Sequence, residues 1–153
     1  SQHATACTIT GNKLRSDAKD EISSGNGIHC WKSDSMLIVG NSITGHRDGI
    51  YFEFVTNSRI KNNYSHQNVR YGLHFMFSND DSYYTNVFKG NGAGVAVMFT
   101  KGVKMVNNVF EYGPDGKAFF AAVNFPGSWA DGSLMARFLH EMKRRIGNYK
   151  MEK

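Results

Sequence analysis

Two residue types keep step along this chain. Glycines open four short apolar and aromatic stretches: "GIHCW" (27–31), "GIYFEF" (49–54), "GLHFMF" (72–77) and "GVAVMF" (94–99). Gly27, Gly49, Gly72 and Gly94 are spaced by 22, 23 and 22 residues. A second element follows each of them: "LIVGNSI" (37–43), "RIKNNYS" (59–65), "YYTNVF" (83–88) and "MVNNVF" (105–110). Its asparagines, Asn41, Asn63, Asn86 and Asn108, repeat the same steps, each 14 residues after its glycine. Two registers locked over four copies define a repeat protein. An earlier partial copy, "TITGNKL" (8–14), supplies Asn12, 29 residues before Asn41, so residues 15–24 hold an insertion of about seven.

Each copy alternates Ile, Val, Phe and Tyr over short runs, shows no helical period, and breaks at Gly, Asn, Ser and Asp. A unit of this length built from short strands and turns predicts one coil of a parallel β-helix. The leucine ladder of a leucine-rich repeat is missing. The preferred hand of parallel crossovers makes the coil right-handed. The glycines suit sharp corners or close backbone approach, and the asparagines suit left-handed turns and hydrogen-bonded stacks along the solenoid.

Composition agrees with a folded domain that turns often. The chain has 153 residues, 41% hydrophobic and 20% charged, with 16 glycines and 2 prolines. Its formal charge of +5 permits a nucleic-acid partner, but Lys and Arg are scattered through residues 1–110, and the only basic run, Lys143–Arg145, reads as a solvated helix face. No nucleic-acid partner is expected. The two cysteines, Cys7 and Cys30, are too few for a disulfide framework and are expected as buried thiols. No run is apolar enough to span a bilayer, and "SQHATACTITGNK" lacks the charged-then-apolar layout of a signal peptide. A chain working outside the cytoplasm would need a targeting segment beyond these residues.

After each glycine, side chains should alternate across the strand. Inward go Ile28 and Cys30; Ile50, Phe52 and Phe54; Leu73, Phe75 and Phe77; Val95, Val97 and Phe99. Outward go two ladders, His29–Tyr51–His74–Ala96 and Trp31–Glu53–Met76–Met98. Imidazole and thioether on one face form a ligand set for copper, above all Cu(I), or else a surface for docking a protein or a covered structural face. His29 and His74 lie two coils apart, about 10 Å, and need an intervening ligand to share an ion. A polysaccharide-cleaving β-helix would need clustered carboxylates. Here Glu53 stands on the face, with Asp48, Asp80 and Asp81 expected in loops, the last two as a plain turn.

"GNGIHCW", "ITGHRDGIYFEFVTNS", "RYGLHFMFSNDD" and "GNGAGVAVMF" closely resemble the NosD family. These are periplasmic β-helix proteins that assist assembly of the copper site of nitrous-oxide reductase. The resemblance covers residues 6–110 and implies a periplasmic location, work beside an ABC transporter and the reductase, membrane association only through that transporter, and an accessory rather than enzymatic role. The matching stretches contribute His46, Glu53, His74, Met76 and Met98 as copper-handling candidates; the outward ladder adds His29. Alternatives at this point are a carbohydrate-acting β-helix enzyme and a scaffold whose function has been lost.

Residues 111–153 abandon the register, dividing the chain into a β-helix over 1–110 and a C-terminal appendage. The appendage should hold a turn at 113–116, an apolar strand at 118–125 and, after Pro126–Gly127, an amphipathic helix over roughly 131–146. Leu134, Phe138, Met142 and Ile146 make its apolar side, expected to lie beneath Val109 and Phe110 as a cap on the last coil. "GPDGKAFFAAVNFPGSWADGS" resembles part of a DDE-type transposase endonuclease domain. Asp115 and Asp131 alone cannot supply its metal-binding triad, so no nuclease activity is expected.

Overall fold

The computed structural model describes residues 1–111 in full and the backbone of residues 120–124. Within them the chain winds as a parallel β-helix with three short strands per coil. The partial first coil gives β1 (Thr8–Thr10) and β2 (Lys13–Arg15). The next gives β3 (Ile28–Asp34), β4 (Leu37–Val39) and β5 (Ser42–Thr44). Then follow β6 (Asp48–Thr56), β7 (Arg59–Lys61) and β8 (Tyr64–His66). The pattern repeats in β9 (Tyr71–Met76), β10 (Ser82–Tyr84) and β11 (Val87–Lys89), and again in β12 (Ala93–Met98), β13 (Lys104–Val106) and β14 (Val109–Glu111). β15 (Phe120–Asn124) closes the series.

Strands of equal rank stack into three parallel sheets, β3-β6-β9-β12-β15, β1-β4-β7-β10-β13 and β2-β5-β8-β11-β14. The second repeated element is therefore two strands around a tight turn, so the coil has three sides rather than two. Inside, residues pile on their own kind: Ile28, Ile50, Leu73 and Val95 in one column, Cys30, Phe52 and Phe75 in the next, with Ile38, Ile60 and Tyr83 opposite. Phe52 and Phe75 are fully buried, their rings edge-to-face at 5.8 Å. Burying each contributes about 1.5–3 kcal/mol.

The asparagine register forms a continuous hydrogen-bonded column. Each Oδ1 accepts both the backbone N–H and the side-chain N–H of the asparagine one coil earlier, at 2.9–3.0 Å from Asn12 through Asn108. The left-handed turn falls one residue earlier than expected, on Gly11, Gly40, Asn62, Thr85 and Asn107. The repeat glycines serve close approach: a Cβ on Gly49 would lie 2.6 Å from the Gly72 carbonyl oxygen. A second column, Asn68 on Asn91 with Nδ2 2.9 Å from Oδ1, went unseen in the sequence because only two coils carry it.

Three expectations are overturned here. Phe54, Phe77 and Phe99 do not point inward. They follow the buried stretch at positive φ (53°, 49° and 48°), where the strand corners outward, and stand 45%, 43% and 38% exposed. There they stack face to face, Phe54 on Phe77 at 5.2 Å and Phe77 on Phe99 at 5.0 Å. Cys7 is exposed, and only Cys30 is a buried thiol, its pKa pushed up to about 11 mainly by burial. Asp81 is no exposed turn residue but is 1% exposed under the coil wall.

The strand expected over 118–125 forms at Phe120–Asn124 and pairs in parallel with β12, with a register shift between Val95 and Val97. The turn at 113–116, the helix over 131–146 with its capping role, Asp115 and Asp131 lie outside the described residues. Among the described residues no helix is long and apolar enough to cross a membrane.

Candidate functional site

The outer side of the β3-β6-β9-β12 sheet collects most of the candidate residues. Parallel register sets Trp31 beside Glu53, Glu53 beside Met76, and Met76 beside Met98. One step earlier, His29 lies beside Tyr51, Tyr51 beside His74, and His74 beside Ala96. Rings in this column stack at 4.8 Å, so Tyr51 is intercalated between His29 and His74. The two imidazoles therefore cannot share one ion.

Their environments differ. His29 is exposed, with Nε2 3.7 Å from Glu53 Oε2. Partial burial depresses its pKa against the opposing pull of Glu53. His74, expected on an open face, is 3% exposed. Its ring lies between Tyr51 and Tyr71, the latter edge-on at 4.9 Å. Nδ1 is 3.1 Å from Asp48 Oδ2, while Nε2 is buried without a partner. Met76, Met98 and Glu53, in register with one another two residues further along their strands, are half-buried.

Asp48 was expected in a loop. It starts β6 instead and is fully buried, for a reason that lies one coil along. Arg70 donates Nε–H to Oδ1 at 2.9 Å and Nη2–H to Oδ2 at 2.6 Å, and the Tyr71 N–H adds a contact at 3.3 Å. Burial opposes the charge on Asp48, but the Arg70 and His74 hydrogen bonds outweigh it and hold the carboxyl below the usual range. Arg70 is held correspondingly high by the same bond. The sequence reading missed Arg70 and the part Asp48 plays. A signal existed: Arg47 and Arg70 are 23 residues apart, one repeat, and Arg47 donates to Asn26 at 3.2 Å just as Arg70 does to Asp48.

His46 stands apart from this face. It sits between β5 and β6, its backbone N–H bonded to Asn68 Oδ1 at 3.0 Å. Burial lowers its pKa, a contact with the Leu14 backbone opposes that, and Nε2 is enclosed without a partner. It caps the short Asn68–Asn91 column.

Residues 5–121 match the family described as NosD, Periplasmic copper-binding protein (NosD). The chain belongs to the NosD family. No curated protein and no solved structure matches it. The family is thus one of periplasmic copper-binding proteins, and the matched span takes in the described coils from the first through β14.

Does a NosD chain with these residues suit copper? Among the described residues no three His, Cys, Asp or Glu side chains converge as a metal-ligand group. The nitrogen-and-thioether set is different, because Cu(I) accepts few, soft ligands. An enclosed, unpartnered His74 Nε2 with two thioethers paired two residues further along β9 and β12 fits that preference.

Proposed function

We propose that this NosD-family chain is a periplasmic accessory protein that handles copper during maturation of the copper centre of nitrous-oxide reductase, working beside an ABC transporter. The observation that carries the reading is the juxtaposition on one sheet face of His74, Met76, Met98 and Glu53 within the span matched to a copper-binding family. Soft neutral ligands hold Cu(I) while leaving it exchangeable, which is what a delivery protein requires. The half-buried Met76 and Met98 would form the outer contacts, and Glu53, beside Met76 in register, would balance the cation's charge.

The two-carboxylate chemistry of a polysaccharide-cleaving enzyme finds little support here. Asp48 is committed to Arg70 and His74, which leaves Glu53 as the available carboxylate on the described face.

A Cu(I) titration against a competing chelator under reducing conditions tests the reading. The parent protein should bind, and Met76→Leu combined with Met98→Leu should bind more weakly with the same thermal melt, because the swap conserves volume. Absence of binding in the parent would overturn the copper role. Delivery is tested by mixing the copper-loaded protein with copper-free nitrous-oxide reductase, where metal should move to the enzyme. Copper that stays behind would refute delivery to that enzyme.

A further inference from the structure

We infer that Asp48, clamped by Arg70, is a positioning residue that locks His74 as its Nδ1–H tautomer and so reserves Nε2 as the one nitrogen donor of a Cu(I) site completed by the Met76 and Met98 thioethers. This rests on the copper-handling reading above and assigns its ligand atoms.

The chemistry starts at Asp48. Its carboxylate takes two hydrogen bonds from Arg70, which keep it ionised in spite of its burial, so it can only accept. The imidazole nitrogen 3.1 Å from Oδ2 must therefore be the one bearing hydrogen. In the neutral ring the lone pair then resides on Nε2. That atom is enclosed and accepts no hydrogen bond. A buried polar atom left unpaired forfeits its hydration without return and asks for an explanation, a bound ion being one. A carboxylate on the far nitrogen is the usual partner of a metal-binding histidine, since it fixes the ring and raises ligand basicity.

The neighbours argue the same way. His74 has Tyr51 on one side in its column and Ala96 on the other, so the column of rings ends at His74. No hydroxyl or thiol among the described residues bonds to His74 Nε2, the contact through which an Asp–His pair activates a nucleophile in catalysis. His29 faces Glu53 in the open, and His46, whose Nε2 is also enclosed, contacts the Leu14 backbone in place of a carboxylate and lies off the two strands that carry the thioethers. Met76 and Met98 lie side by side, each two residues beyond the His74–Ala96 pair on its own strand, and both are less buried than His74.

The experiment uses the full chain labelled with nitrogen-15, followed by long-range nitrogen–proton NMR of the histidine rings and by chelator competition. In the metal-free protein His74 should carry hydrogen on Nδ1, and Cu(I) should move the Nε2 resonance while Nδ1–H stays. In Asp48→Asn the amide oxygen is drawn to Arg70 and its NH2 faces Nδ1, so hydrogen should shift to Nε2 and Cu(I) affinity should fall about 10–100-fold. Should that variant fail to melt cooperatively, Arg70→Gln tests the same clamp, with mixed tautomers and weaker binding expected. An Nε2–H tautomer in the parent protein overturns the inference. So does Cu(I) binding that leaves the His74 ring unmoved, and in that case the copper role itself survives. A parent protein that binds no Cu(I) overturns both.

Discussion

The Ser58 backbone N–H donates to Asp81 Oδ1 at 2.8 Å across one coil step, and the other oxygen of that carboxyl accepts nothing. Burial is the main force pushing this group up to about 7; the Ser58 bond pulls it down and the nearby charges of Asp80 and Asp34 push it up. Unfolded, an aspartate ionises near 4. Between these values the folded state holds a proton the unfolded state has lost, so stability falls as pH rises from about 4 to about 7. Asp81→Asn should therefore raise the melting temperature at pH 8, by a stability gain on the order of 1–4 kcal/mol, and change little at pH 4. A variant that melts lower at pH 8 would show that the carboxyl is better paired than its surroundings indicate.

Phe75 and Phe77 separate the coil interior from its rim. Phe75→Ala empties a fully buried site and should cost about 3–5 kcal/mol in urea unfolding. Phe77→Asn gives up two ring stacks but places a residue that tolerates φ near 49°, so it should cost less than about 1 kcal/mol. Equal losses would return Phe77 to the core.

That pair also shows where sequence reading works and where it fails. Strict alternation identified Ile50, Phe52, Leu73 and Phe75 as core, because each lies on the straight part of its strand. It failed at Phe54, Phe77 and Phe99, because each is itself the left-handed residue at the corner, and that conformation resets the parity. Alternation likewise put His74 on the correct side of the sheet but said nothing of its burial. That depends on a cross-coil pair, Asp48 with Arg70, whose members are 22 residues apart and carry no periodic apolar signal. The register of Asn41, Asn63 and Asn86 was legible because every coil needs the same hydrogen bonds; the Asp48–His74 contact was not, because one coil has it.

Asn63 accepts from Asn41 and donates to the Ile38 and Lys61 carbonyls and to Asn86 Oδ1, all at 3.0 Å. It is 2% exposed, so Asn63→Ala orphans several enclosed groups and should cost about 2–4 kcal/mol. Asn12, exposed at the first coil, should lose under about 1 kcal/mol in the same substitution. Denaturant unfolding of the two variants side by side would show whether the column acts as a buried spine. Losses of similar size would mean that it does not.

Two glycines give the sharpest contrast. A Cβ on Gly72 would meet Asn91 Nδ2, the Gly94 carbonyl oxygen and Phe88 Cδ1, each at 2.7 Å. Two of these are fixed, one by the backbone of the next coil and one by the asparagine column, so the coils would have to move apart. Gly72→Ala should cost about 1–3 kcal/mol or more and lower the melting temperature accordingly. Gly25 is exposed just after the insertion that precedes the first full coil, with nothing within 4 Å of a Cβ and no positive φ. Gly25→Ala should therefore be neutral or stabilise by about 0.4–1 kcal/mol, since it only narrows the unfolded ensemble. A neutral Gly72→Ala in thermal melting would mean that the coils are not held at the close spacing that the repeat glycines permit.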